Sequence, residues 1–103
     1  MTVLRVCYRK NVRFDENYYL TKHLPLVGRI MQPYDIKAVE VLRVTATPDG
    51  SAPVYQMMFS VHFESMAAAN RALQSAEFGQ ALADVPNYYD GAPDVMIGEL
   101  VGA

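Results

Sequence analysis

A phenol and an imidazole stand one helical turn apart at Tyr19 and His23, in the stretch Phe14-Asp15-Glu16-Asn17-Tyr18-Tyr19-Leu20-Thr21-Lys22-His23-Leu24-Pro25-Leu26. Four-residue spacing puts both rings on one helical face, and Leu26, Val27 and Ile30 continue that face. His23 therefore points toward the core. An imidazole titrates near neutral pH and can take or give a proton if a substrate comes within reach. Tyr19 can orient that ring or polarise a substrate carbonyl. The competing reading is a core histidine bonded to a backbone carbonyl, beside a core tyrosine with a backbone partner of its own. Pro25 supplies such a carbonyl, because it removes an amide from the helix ladder and frees the oxygen of Thr21. A proton-active ring beside a backbone defect is expected to floor a small pocket.

The elements that must position these groups follow from pattern. Val3 to Tyr8 reads as the first strand. Asp15 can cap a helix running to about Met31, with Phe14 and Tyr19 spaced as a hydrophobic staple. Ile36–Thr45 and Val54–Phe63 read as strands around a loop, Thr47 to Pro53, whose Asp-Gly pair argues for a hairpin. Ser65 can cap a helix from Met66 to about Ser75, Phe78 to Ala83 suggests another helical turn, and Asp94–Val101 is a last strand. The order βαββαβ predicts one α+β domain, residues 1–103, with a four-stranded antiparallel sheet and its helices on one side. In the third strand Tyr55, Met57, Phe59, Val61 and Phe63 form an unbroken apolar set, assigned to the helix side with Leu4, Val6 and Tyr8. The other face, with Met58 and Ser60, is still too apolar to lie open to water. A second copy of the chain is the expected cover, making a homodimer through the sheet face.

On this assignment Tyr8, Tyr55 and Phe59 form the walls of a substrate pocket, and Tyr88, Tyr89 and Asp90 close one end of it. Hydroxyl-bearing aromatic walls suit a small hydrophobic oxygenated ligand. Tyr18 points elsewhere, to a rim or interface. His62 falls on the opposite strand face from His23, so the two histidines are not expected to share a metal. The glycines match neither dinucleotide nor phosphate-loop spacing, and no cofactor is expected. Cys7 is the sole cysteine and reads as a small buried hydrophobe. Net charge is −2 with scattered basic residues, which argues against nucleic acid. No apolar run approaches membrane-spanning length and no leader pattern follows Met1, so a cytoplasmic protein is expected.

Tyr18-Tyr19, His23 and Pro25-Leu26 together resemble the first-helix motif of the EthD-like family, named for a protein encoded with an ether-degrading oxygenase system. Ala83-Asp84-Val85-Pro86-Asn87-Tyr88-Tyr89-Asp90, followed by Val95-Met96-Ile97-Gly98-Glu99, resembles the approach to the family's last strand, with Tyr88 where phenylalanine is expected. Phe63-Glu64-Ser65 is similar to the end of its third strand. The resemblance implies a ferredoxin-like subunit of the dimeric α+β barrel superfamily. It also implies a pocket between the first helix and the sheet, where histidine or tyrosine acts. The function expected is a cofactor-independent enzyme moving a proton beside a carbonyl, with isomerase, cyclase, dehydratase or cofactor-free oxygenase chemistry. A non-catalytic binding protein supporting an oxygenase system is the alternative.

Overall fold

The computed structural model describes residues 1–102; Ala103, the last residue of the expected domain, lies outside them. Strands β1 (Thr2–Arg9), β2 (Ile36–Arg43), β3 (Tyr55–Phe63) and β4 (Asp94–Glu99) form one antiparallel sheet in the order β2-β3-β1-β4. This is the ferredoxin-like arrangement expected from the βαββαβ order, with β1 and β3 in the centre. One face carries the helices α1 (Glu16–Tyr18), α2 (Leu24–Met31), α3 (Met66–Leu73) and α4 (Ala76–Asp84). A π-helical segment, Tyr19–His23, joins α1 to α2 without a break.

Local chemistry sets the helix boundaries. Asp15 adopts extended backbone and its carboxylate accepts from the amide of Tyr18 at 3.1 Å. The Phe14 and Tyr19 rings lie 5.0 Å apart, completing the staple. Ser65 caps α3 through the amide of Ala68. Ser75 is a cap as well, accepting from the amide of Phe78 at 3.1 Å. The chain therefore restarts as a full helix, α4, where the sequence suggested one further turn. That extension carries Asp84 to the sheet's aromatic end.

Alternation along the central strands is borne out except at one point. Leu4, Phe59, Val61 and Phe63 pack under α2, α3 and α4 in an aliphatic core with Val27, Ile30, Met31 and the small residues Ala68, Ala69 and Ala72. Tyr8 and Met57 belong to a second, aromatic cluster with Tyr19, Val85, Tyr88 and Tyr89. Tyr8 pairs with Met57, but Arg9 pairs with Tyr55, so a bulge at Gln56 shifts the register by one residue. The extra residue in β3 turns Tyr55 to the face opposite Tyr8. Its hydroxyl donates to Asp94 at 2.9 Å, and Asp94 pairs across β1 with Cys7 on that outer face. Tyr55 is thus not a pocket wall, contrary to the strict alternation expected of β3. The Gln56 amide is drawn instead onto the carbonyls of Arg9 and Val12.

Candidate active site

Pro25 explains the π segment. In a regular α-helix its ring collides with the carbonyl four residues back, that of Thr21. Widening the preceding turn relieves the clash, and the amide of Leu24 reaches Tyr19, five residues back, as a π-type bond requires. The Thr21 hydroxyl donates to the Asn17 carbonyl at 2.6 Å, giving that oxygen a side-chain partner. Tyr19 and His23 remain on one face, their rings stacked 18° from parallel with centroids 5.6 Å apart.

His23 is 5% exposed and both ring nitrogens are engaged. Nδ1 lies 2.9 Å from Asp84 Oδ2, and Nε2 lies 3.1 Å from the Tyr88 hydroxyl. The Tyr88 hydroxyl in turn is 2.7 Å from that of Tyr8. Four side chains from β1, the π segment, the end of α4 and the turn before β4 thus form one hydrogen-bonded chain. Its far end is pinned too: Tyr18 and Asn87 donate to Asp84 Oδ1 at 2.8 and 2.9 Å. The turn that carries Tyr88 is stitched to the start of the first helix, where the Asp15 amide donates to the Tyr88 carbonyl at 2.7 Å.

Electrostatics sets the direction of this chain. Burial raises the Asp84 carboxyl, but the hydrogen bonds from His23, Asn87 and Tyr18 outweigh it and hold the group below its ordinary 3.8. Burial pushes His23 below its ordinary 6.5, against the opposing pull of Asp84. Near neutral pH the pair is therefore carboxylate and neutral imidazole. An ionised carboxylate only accepts, so Nδ1 carries the proton and Nε2 is the acceptor. Tyr88 must then donate to Nε2, which leaves Tyr8 to donate to Tyr88. Burial raises the ionisation of Tyr8 and Tyr88, keeping both phenols protonated.

The free end of the chain meets a cavity. Tyr8, Tyr19 and His23 line it together with Phe59, Val27, Met31 and other apolar groups from α2, α4 and the sheet. About 40 Å³ is open to the centre of a water molecule, where one water requires roughly 10–15 Å³. The cavity therefore admits a few atoms, and its lining includes Phe78 and the exposed Leu82. Tyr19 is 1% exposed, yet its hydroxyl is buried without a hydrogen-bond partner. Burial, with the neighbouring Tyr8 hydroxyl, raises its ionisation as well, so it stays a donor.

The structure brings together Tyr19, His23, Tyr8 and Phe59 at the cavity, and Tyr88 one hydrogen bond behind it. Tyr89 does not line the cavity; its hydroxyl accepts from the Arg9 amide at 2.9 Å, a backbone anchor instead of a ligand contact. Asp90 pairs with Arg13 on the surface. His62 lies on the opposite sheet face, with Nε2 2.9 Å from Glu40, so the two imidazoles share no cavity. Asp84 is the site residue that sequence reasoning does not single out, and Tyr18, expected at a rim or interface, is half-buried and holds Asp84 through its hydroxyl. The available signal was Asp84 and Tyr88 at four-residue spacing inside a helix-to-strand turn. Among the described residues, no group of three or more His, Cys, Asp or Glu is placed to hold a metal, and no helix is long and apolar enough to cross a membrane.

No family model matches the chain. An uncharacterized 11.0 kDa protein in the thcB–thcC intergenic region of Rhodococcus erythropolis is 36% identical over 83 residues, covering 81% of this chain and 76% of that protein. The crystal structure of an EthD-like protein from Ralstonia eutropha has a TM-score of 0.82 and 26% identity, covering 98% of this chain and 92% of that one. The chain belongs to the EthD-like family. At the level of fold alone it is also similar to SnoaB, a cofactor-independent oxygenase from Streptomyces nogalater, with a TM-score of 0.70, 11% identity, and coverage of 99% and 92%. The EthD-like subunit is thus an α+β ferredoxin-like unit of the dimeric α+β barrel class.

Proposed function

We propose that this EthD-like protein is a cofactor-independent acid–base enzyme for a small hydrophobic oxygenated metabolite. The observation that carries the reading is the chain Asp84–His23–Tyr88–Tyr8, which ends on the wall of an apolar cavity. A proton delivered to the Tyr8 oxygen can be matched by transfer of the Tyr8 proton to Tyr88 and of the Tyr88 proton to His23 Nε2. The imidazolium so formed sits against the Asp84 carboxylate, which lowers the cost of its charge. Reversal of the same steps returns the proton. His23 is the proton store, and Tyr8 exchanges the proton with the ligand. Isomerisation, cyclisation, dehydration and cofactor-free oxygenation all use such a transfer at a carbon beside a carbonyl. The resemblance in fold to a cofactor-independent oxygenase is compatible with the last of these. A homodimer is part of the proposal, since the outer sheet face leaves Leu42 and Met96 57% and 47% exposed.

The test is exchange of α-hydrogens for deuterium in apolar ketones and β-keto esters, followed by proton NMR in heavy water. The native protein should accelerate exchange over buffer, and His23→Gln should lose about a hundredfold or more of that acceleration. Saturable binding of these compounds with no exchange above buffer would contradict the enzyme reading and favour the non-catalytic binder.

A further inference from the structure

The cavity offers two different polar contacts, and together they select a ligand. Tyr8 lines the cavity and spends its proton on Tyr88, which leaves its oxygen with acceptor capacity. Tyr19 is the complement: a protonated phenol, almost wholly buried, whose hydroxyl makes no well-aligned hydrogen bond and lies beside the Tyr8 hydroxyl. The two rings meet edge to face with centroids 5.4 Å apart, so both contacts serve one small region of the ligand. An unpaired buried hydroxyl costs free energy that a ligand oxygen would recover on binding. Among the described residues no lysine or arginine lines the cavity, and a carboxylate entering it would lose its hydration without meeting a cation.

We infer that the cavity takes a neutral, enolisable carbonyl compound, with the carbonyl oxygen accepting from Tyr19 and the α-hydrogen facing the Tyr8 oxygen. This deepens the acid–base reading above and rests on it for the proton step. As the α-carbon–hydrogen bond breaks, the proton passes to the Tyr8 oxygen while the Tyr8 proton moves to Tyr88 and the Tyr88 proton to His23 Nε2. The electron pair left on carbon forms the carbon–carbon double bond, and the carbonyl π pair moves onto oxygen. Tyr19 meets the growing charge there with its hydroxyl, a neutral donor in a mostly apolar surrounding. Reprotonation at the other carbon or at oxygen runs the chain backward, and no electrons are left over.

The inference is tested by binding, which does not depend on turnover. 2-Hexanone and hexanoate are titrated at pH 8 into the full-length protein and Tyr19→Phe, followed by ligand-observed NMR. The native protein should bind 2-hexanone saturably and hexanoate roughly tenfold or more weakly. Tyr19→Phe should weaken the ketone by about three- to tenfold, the worth of one neutral hydrogen bond. Its thermal midpoint should not fall, because the variant removes an unpaired buried hydroxyl, and that measurement separates a lost contact from a lost fold. Equal or tighter binding of hexanoate, an unchanged ketone affinity in Tyr19→Phe, or no saturable ketone binding each overturns the inference. A protein that discriminates as stated but catalyses no α-exchange keeps this ligand class and loses the enzyme reading, so the two failures are distinct.

Discussion

The two ends of the helix-covered sheet face are built from different materials. At one end Leu4, Val61, Phe63 and Ile30 pack with the alanines of α3, and Thr2, paired with Phe63, is a buried polar side chain beside them. At the other, Tyr8, Tyr19, Tyr88 and Tyr89 pack with Phe14 and are threaded by hydrogen bonds to His23, Asp84 and the Arg9 amide. Apolar packing suffices to hold the first end, and alanine at the helix contact lets α3 approach the sheet closely. The second end buries hydroxyls and an imidazole, each of which needs a partner. All find one except Tyr19. Among the described residues Tyr19 is the exception in an otherwise satisfied network, and it marks where a ligand oxygen would fit.

The largest effect that separates the ends is on stability. Phe63 is fully buried in the aliphatic cluster, and Phe63→Ala should cost about 3–5 kcal/mol through lost burial and a cavity. Chemical denaturation measures that loss, while ligand affinity per folded molecule should be unchanged. A large loss of affinity in the folded fraction would mean that the two ends are coupled.

A smaller effect belongs to the aromatic end and is read from acid. His23 is held below its ordinary value of 6.5 in the folded chain, so the unfolded chain binds that proton more readily. The stability that neutral His23 retains above about pH 6.5 is therefore lost as pH falls through its folded value. Asp84, held below its ordinary 3.8, adds a second loss at lower pH, as protonation removes its advantage. The denaturation midpoint of the native protein should decline on acidification below neutrality, and His23→Gln should flatten the first part of that decline. An identical profile in the variant would remove His23 as its cause.

Much of this contrast is legible in the sequence, for reasons that also explain the exceptions. The four-residue spacing of Tyr19 and His23, the cap at Asp15 and the alternation of Leu4, Phe59, Val61 and Phe63 are local patterns with one geometric outcome. Pro25 announces a defect in the helix, although the pattern alone does not say that a π segment will absorb it. The bulge at Gln56 is different, because one extra residue in β3 reverses the face of Tyr55 and leaves no mark in the alternation that precedes it. Asp84 is 61 residues from His23 in the chain. Its position depends on how far α4 extends beyond the Ser75 cap and how it packs on α2, a tertiary outcome that periodicity does not carry. Tyr88 is the clearest case of a residue whose importance lies in its departure from pattern, since phenylalanine there would leave His23 Nε2 and Tyr8 unconnected.

The central claim is that the chain runs in one direction, with Tyr8 donating to Tyr88, Tyr88 to His23 Nε2, and His23 Nδ1 to Asp84. Nitrogen-15 NMR of the His23 ring, recorded at pH 7.5 on protein labelled in histidine, reads this without any substrate. A neutral ring with the proton on Nδ1 and an unprotonated Nε2, shifting toward the Nε2-protonated form in Asp84→Asn, is the predicted result. A neutral ring carrying its proton on Nε2, or an imidazolium at that pH, would contradict it.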